Sequence, residues 1–335
     1  VYHMIRAELG DELFFKAIQT FVQDNAHRTV ETVDLLRAIE KTSGRNLQFL
    51  FDQYVFRGGH PDYKVSYSWD GDSKLAKLTV TQKQAKPGDS SSQSGLFDLK
   101  LPIGFATVQD GTPSIQTFTV RLHEYEQSFY FPLTEKPQFV SFDQGNAYLK
   151  TVTLDYPLAE LKAQLQYDPD PISRIYAAEA IAKKGGLEAV KALATALQQD
   201  SFWGVRAEVA GELGSVKLDQ AFEELLRGLQ DPEARVRRAV VNALAKIKTL
   251  ASFAALYPVA EQGDASYYVE GAALAGLGAI ATNFTDQPEL EQLLGLYRRV
   301  LAERAGWNET VRSGVIAGLS KLKTSEEALA VILDY

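Results

Sequence analysis

The chain has 335 residues, 45% hydrophobic and 23% charged, which excludes a disordered segment and exceeds what one ordinary core accommodates. Its 43 acidic and 35 basic residues leave a net charge of −8, with no basic excess to track a phosphate backbone, so nucleic acid is not expected as a partner. There is no Cys, hence no disulfide framework and no thiolate metal site.

Residues 1–61 read as helix. Val1 opens the chain and Met4 is the only Met, so the start codon is expected upstream and the chain reads as a fragment. Leu13, Phe14, Ala17, Ile18, Phe21 and Val22 recur at three- and four-residue steps, the spacing of one apolar stripe. Gly10 is expected to close a first helix and Asp11 to cap a second. Thr32 and Ser43-Gly44 bracket a third, and Asn46 opens a fourth through Leu47, Phe51 and Tyr54. No apolar run of about 18 residues occurs, and the opening lacks a basic end followed by an apolar stretch, so neither a membrane span nor a signal peptide is expected.

From Pro61 the period changes to two. Tyr63–Trp69, Leu75–Val80, Phe97–Ile103, Phe105–Val108, Ile115–Leu122, Gln127–Phe131, Phe139–Phe142 and Leu149–Leu154 are strand candidates, separated by Asp70-Gly71, Asp110-Gly111 and Gly145-Asn146. Seven or eight short strands over residues 62–155 predict a small antiparallel β-sandwich of immunoglobulin or fibronectin type. Pro87–Gly95 reads as a polar loop.

Residues 156–335 are Ala- and Leu-rich and repeat. An Asp is followed six residues later by an Arg at Asp168/Arg174, Asp200/Arg206 and Asp231/Arg237, whereas Asp264/Glu270 keeps the position and loses the charge. Three residues beyond the Arg column stand Ala177, Val209, Val240, Ala273 and Val315, and seven beyond it Ile181, Leu213, Leu244, Leu277 and Leu319. These positions share one helix face, so four or five stacked helix pairs are expected, with an insertion around Thr282–Trp307. The pattern resembles HEAT repeats of the short bacterial kind first described in phycobilisome lyases. That resemblance implies an α-solenoid in which Asp and Arg of neighbouring units form a ladder, a planar guanidinium being suited to a bidentate bridge.

Val1-Tyr2-His3-Met4-Ile5-Arg6 with Leu9-Gly10-Asp11 and Phe14, then Thr32-Val33-Asp34-Leu35, Ser43-Gly44, Phe49 to Phe51 and Gly59-His60-Pro61, resemble the end of the catalytic domain in M1 family zinc aminopeptidases. Tyr54 stands where that family usually has Trp. The resemblance implies a chain of three parts: residues 1–61 as the last helices of a thermolysin-like domain, 62–155 as a fibronectin III-like spacer, and 156–335 as a solenoid closing a chamber over peptide substrate. It also implies that the zinc ligands and the catalytic Tyr lie upstream of Val1. The parent protein is thus expected to be a zinc-dependent peptidase that removes N-terminal residues, and this fragment to hold no zinc and be inactive. The alternative is a non-catalytic scaffold of the same architecture, whose solenoid binds proteins.

Residues with a sharper reading are few. His3, His27, His60 and His123 include no pair spaced for two ligands on one helix face, so no metal ligand and no catalytic residue is assigned. Asp168, Asp200 and Asp231 are read as ladder partners rather than metal carboxylates. Arg237 is assigned to the ladder, with Arg235 and Arg238 on a solvated face. Gly276-Leu277-Gly278 with Ala281 lies inside a repeat and is read as close helix packing, not a dinucleotide fingerprint. Asn283-Phe284-Thr285 and Asn308-Glu309-Thr310 fit the glycosylation pattern but need a secretory route, and a cytoplasmic location is favoured. Which residues face substrate is not legible.

Overall fold

The computed structural model describes residues 1–86, 95–283, 288–304, 306–323 and 325–334, with only the backbone of residue 307. Most of the polar loop expected at 87–95, and two of the three residues at 283–285, lie outside the described residues. The chain divides into two compact units, Val1–Tyr176 and Ala177–Tyr335, a division that falls inside one helix.

The first unit opens with α1 (Tyr2–Leu9), α2 (Asp11–Asp24), α3 (Thr32–Ser43) and α4 (Gln48–Tyr54), four helices at the expected places. Two of their caps differ from expectation. Asp11 does not cap α2; its carboxylate takes a bidentate bond from Arg6 at 2.7 and 2.8 Å. The third helix is capped one residue early, by a reciprocal box between Glu31 and Asp34, because each carboxylate reaches the other's backbone N–H. Gly44 ends α3 in the left-handed conformation that a side chain would strain.

Seven strands follow among the described residues: β1 (Asp62–Asp70), β2 (Leu75–Gln82), β3 (Leu99–Gln109), β4 (Thr112–Leu122), β5 (Glu126–Pro132), β6 (Phe139–Phe142) and β7 (Thr151–Asp155). They form two small sheets, ordered β5-β2-β1-β7 and β4-β3-β6. Two strand candidates are one strand: Gly104 does not break β3 but lets it pass β4, since a Cβ there would stand 2.8 Å from Ile115 Cγ2. Pairing is antiparallel except between β1 and β7, which run parallel and so correct the expectation of an antiparallel region throughout. The reason is topological. After β6 the chain crosses to the other sheet and lies down beside β1 in the same direction. Rings from the two sheets meet, Tyr63 with Phe142 at 5.4 Å and Phe105 with Phe131 at 4.8 Å between centroids.

This unit ends with α5 (Leu158–Tyr167), which packs on β6, and the first turns of α6 (Pro171–Lys184). The second unit continues through α7 (Leu187–Gln199), α8 (Trp203–Leu213), α9 (Asp219–Gly228), α10 (Ala234–Ile247), α11 (Leu250–Gln262), α12 (Tyr267–Ala281), α13 (Pro288–Glu303), α14 (Thr310–Leu319) and α15 (Glu326–Asp334). Its repeat columns are buried as the spacing predicts: Ala177, Val209, Val240, Ala273 and Val315, and Ile181, Leu213, Leu244, Leu277 and Leu319. Four of the five helices that carry the columns, α8, α10, α12 and α14, lie against one another in succession.

The closest approach is between α12 and α14. A Cβ on Gly278 would fall within the backbone of Gly318, so Gly278 serves packing, as its place inside a repeat implied. Gly278→Ala is expected to lower stability by about 2–3 kcal/mol, because backbone rather than a flexible side chain must yield. The urea midpoint checks this, and an unchanged midpoint would mean that the two helices separate at little cost.

Candidate functional site

The side chains singled out in the repeat form a regular device. Each column Asp stands at a helix start and accepts the backbone N–H two residues on: Asp200 from Phe202 at 2.8 Å, Asp231 from Glu233 at 2.8 Å, and Asp264 from Ser266 at 2.7 Å. Each column Arg sends Nη1 back to the carbonyl of the Asp six residues earlier, at 2.9 Å from Arg174, 2.8 Å from Arg206 and 2.8 Å from Arg237. The remaining guanidinium edge reaches forward to the next repeat. Arg206 bonds Asp231 at 2.8 and 3.0 Å, and Arg237 bonds Asp264 at 2.9 and 2.7 Å. The six-residue spacing and the repeat period therefore serve one fork with two targets.

At Glu270 the sign is inverted rather than lost. Arg304, which follows α13, bonds Glu270 at 2.8 Å and also donates to the carbonyls of Ala260 and Glu261. Burial raises the Glu270 carboxyl, and Arg304 opposes that shift. At the other end Asp168 is buried and accepts a hydrogen bond from the Ser141 hydroxyl, on β6. Burial pushes the Asp168 carboxyl up while the Ser141 bond pulls it down.

Asp264 shows what the ladder does to a carboxylate. Burial acts to raise it, but the Arg237 bonds and the Ser266 N–H together hold it below its usual range. A depressed folded-state pKa gives stability that is present above the unfolded value and lost as pH falls through the folded one. Arg237→Ala is expected to cost roughly 3 kcal/mol near neutral pH, since it leaves a mostly buried carboxylate without its partner. The deficit should shrink in acid. Urea titrations at several pH values check both parts.

Arg235 and Arg238 lie on the exposed face of α10, as their place beside the ladder implied. Glu233 takes Arg235 at 2.9 and 3.0 Å, and this pairing holds the Glu233 carboxyl down at about 2. The Arg235 guanidinium also lies 3.7 Å from the Trp203 ring centroid, and that of Arg238 5.7 Å from Tyr268.

A second polar cluster was not legible from the sequence. Lys150 is buried in the first unit and gives its three protons to three acceptors: Asp143 Oδ2 at 2.6 Å, Asn146 Oδ1 at 3.0 Å and the Tyr148 carbonyl at 3.3 Å. Asn146 continues to Ser173 at 3.0 Å. Tyr148 donates its hydroxyl to Glu8, which Arg45 also holds, and the Tyr54 hydroxyl bonds the Leu149 carbonyl at 3.1 Å. Segment 143–150 thus ties the helices, the sheets and α6's start together within the first unit.

His3 on α1 and His27, His60 and His123 in three different connecting segments are all exposed. Among the described residues no group of three or more His, Asp or Glu side chains is placed to hold a metal ion. No helix among them is long and apolar enough to cross a membrane.

Comparison with known proteins agrees with the helical part. A family model described as HEAT repeats matches residues 158–245 and 190–278. The chain is similar to aminopeptidase N of Streptomyces lividans, 28% identical over 141 residues, 42% of this chain and 16% of that protein. It is also similar to aminopeptidase N of Lactococcus lactis subsp. lactis, 25% identical over 99 residues, 30% of this chain and 11% of that protein. In fold it is similar to Legionella pneumophila aminopeptidase A, solved in complex with aspartic acid. There the TM-score is 0.57 at 18% identity, over 100% of this chain and 40% of that one. The chain thus contains HEAT repeats and resembles part of an aminopeptidase N-like protein.

Proposed function

We propose that this chain is the C-terminal part of an M1-type zinc aminopeptidase, whose reactive centre belongs to a preceding lobe of the same polypeptide. The observation that carries this reading is the set of exposed apolar side chains along residues 1–56. Tyr2, Phe15, Val22 and Phe56 are 59%, 57%, 60% and 60% exposed, and Val30, Val33, Phe49 and Val55 are exposed as well. Large apolar side chains left exposed so often along one short stretch suit a surface made to be covered. The likeness to aminopeptidases of much greater length supports this reading, in which the cover is the rest of a catalytic lobe that these helices complete.

In this reading the two sheets are a fibronectin-like sandwich that carries the repeat helices, and the solenoid bounds the space that peptide substrate enters. Zinc held by the preceding lobe would supply the activated water. This chain's share is to complete the lobe's core and to wall the chamber.

The test is turnover of amino-acid anilides. The isolated chain, loaded with zinc, is expected to be silent, and the natural polypeptide that includes the preceding lobe is expected to be active and to lose activity to a chelator. Zinc-dependent turnover by the isolated chain would overturn the assignment, as would a zinc-loaded longer polypeptide without activity.

A further inference from the structure

A band across the starts of α8, α10 and α12 brings aromatic rings and arginines together. Phe202 and Trp203 lie 5.5 Å apart, Arg235 covers the Trp203 ring, Arg238 follows one turn on, and Tyr268 lies beside Arg238. Phe202, Tyr267 and Tyr268 are 39%, 47% and 51% exposed. Large rings and guanidinium groups gathered at a surface are the side chains that carry most binding energy where proteins meet.

The two arginines are in different states. Arg235 is neutralised by both oxygens of Glu233, so it contributes a flat plate stacked on Trp203 rather than a charge. Arg238 makes no hydrogen bond or ion pair with the described residues, and its guanidinium is left with the Tyr268 ring face. A surface that holds one uncompensated cation between two aromatic platforms suits one carboxylate flanked by apolar or planar groups.

We propose that this band docks an extended acidic segment of a protein partner, with a Glu or Asp carboxylate on Arg238 and neighbouring side chains over Trp203 and Tyr268. Net charge argues against a long polyanion, which the chain's charge of −8 would repel, and a short segment avoids most of that penalty. The inference does not depend on the peptidase reading, since it concerns only the second unit's surface.

The test is fluorescence anisotropy with dye-labelled peptides of alternating Glu and Phe, Gln and Phe, or Lys and Phe, titrated with the whole chain. The Glu peptide is expected to bind saturably, more tightly than the other two, and less tightly as salt rises. Arg238→Glu should weaken it by about tenfold or more, Trp203→Ala should weaken it as well, and Lys217→Glu, an equal charge change elsewhere, should not. Arg238→Glu breaks no hydrogen bond or ion pair with the described residues and loses only the exposed contact with the Tyr268 ring, so a nearly unchanged circular-dichroism melt is expected to accompany the loss. Equal affinity for the three peptides, or indifference to Arg238→Glu, would overturn the proposal. So would tighter binding of a single-stranded oligonucleotide than of the Glu peptide.

Discussion

Lys150→Met is expected to destabilise the chain by about 3–5 kcal/mol near neutral pH, one of the two largest effects foreseen for it. The Lys150 and Asp143 side chains are 1% and 0% exposed, so no water stands ready to solvate the charge left behind. Met fills much the same volume and keeps the packing, which isolates the electrostatic loss. Because Asp143 anchors segment 143–150, the loss should also loosen the Tyr148–Glu8 and Tyr54–Leu149 bonds that join the helices to the sheets.

The pH dependence gives the sign. Burial raises the Asp143 carboxyl above its usual range, and Lys150 pulls it back by charge and hydrogen bond. A carboxyl whose folded pKa exceeds its unfolded value binds its proton more tightly when folded, so stability falls as pH rises from the unfolded value through the folded one. Removing Lys150 widens that window. The Lys150→Met variant should therefore regain stability on acidification while the parent chain changes less, and Lys150→Met with Asp143→Leu should recover much of the loss at neutral pH. Urea midpoints across pH measure all three; a Lys150→Met midpoint that does not rise in acid would mean that Asp143 finds another cation.

How much of this was legible depends on range. The repeat was readable because Arg174, Arg206 and Arg237 recur with apolar residues three and seven positions on, a pattern local to each helix and copied. The capping of α3 was misplaced by one residue because Thr32 looks like a cap, whereas Glu31 and Asp34 act as a pair. The inversion at Glu270 was seen as a missing charge, since its partner Arg304 stands after the long insertion, where the period offers no register. The Lys150–Asp143 pair left no signal: the two stand seven residues apart in a turn-rich stretch, and only the folded chain buries them together. Of the interaction band, Arg235 and Arg238 were visible as a charge cluster, but their rings come from Trp203 and Tyr268, roughly one repeat away on either side.

A chain shortened to begin at Tyr156 is expected to be less stable and to expose apolar surface, although the change from strand to helix there suggests a clean boundary. Tyr156 is buried, its ring edge-on to Tyr67 of β1 at 5.9 Å. Glu160 on α5 is buried and meets Lys136, before β6, at 2.8 Å. Asp168 takes the Ser141 hydroxyl, and Ser173 takes the Asn146 amide at 3.0 Å. Starting at Tyr156 removes Tyr67, Lys136, Ser141 and Asn146 together, leaving α5 without the strand it packs on. A loss on the order of 4 kcal/mol follows from the exposed ring and apolar helix face, equivalent to a melting point lower by about 10 °C at this chain size. Within the intact chain Ser141→Ala should reproduce part of it, about 1–2 kcal/mol, by leaving Asp168 short of a donor. Thermal melts with a hydrophobic dye check both. A shortened chain that melts with the intact one and binds no dye would mean that the sheets are only a spacer and that the helical repeat holds its own first helices.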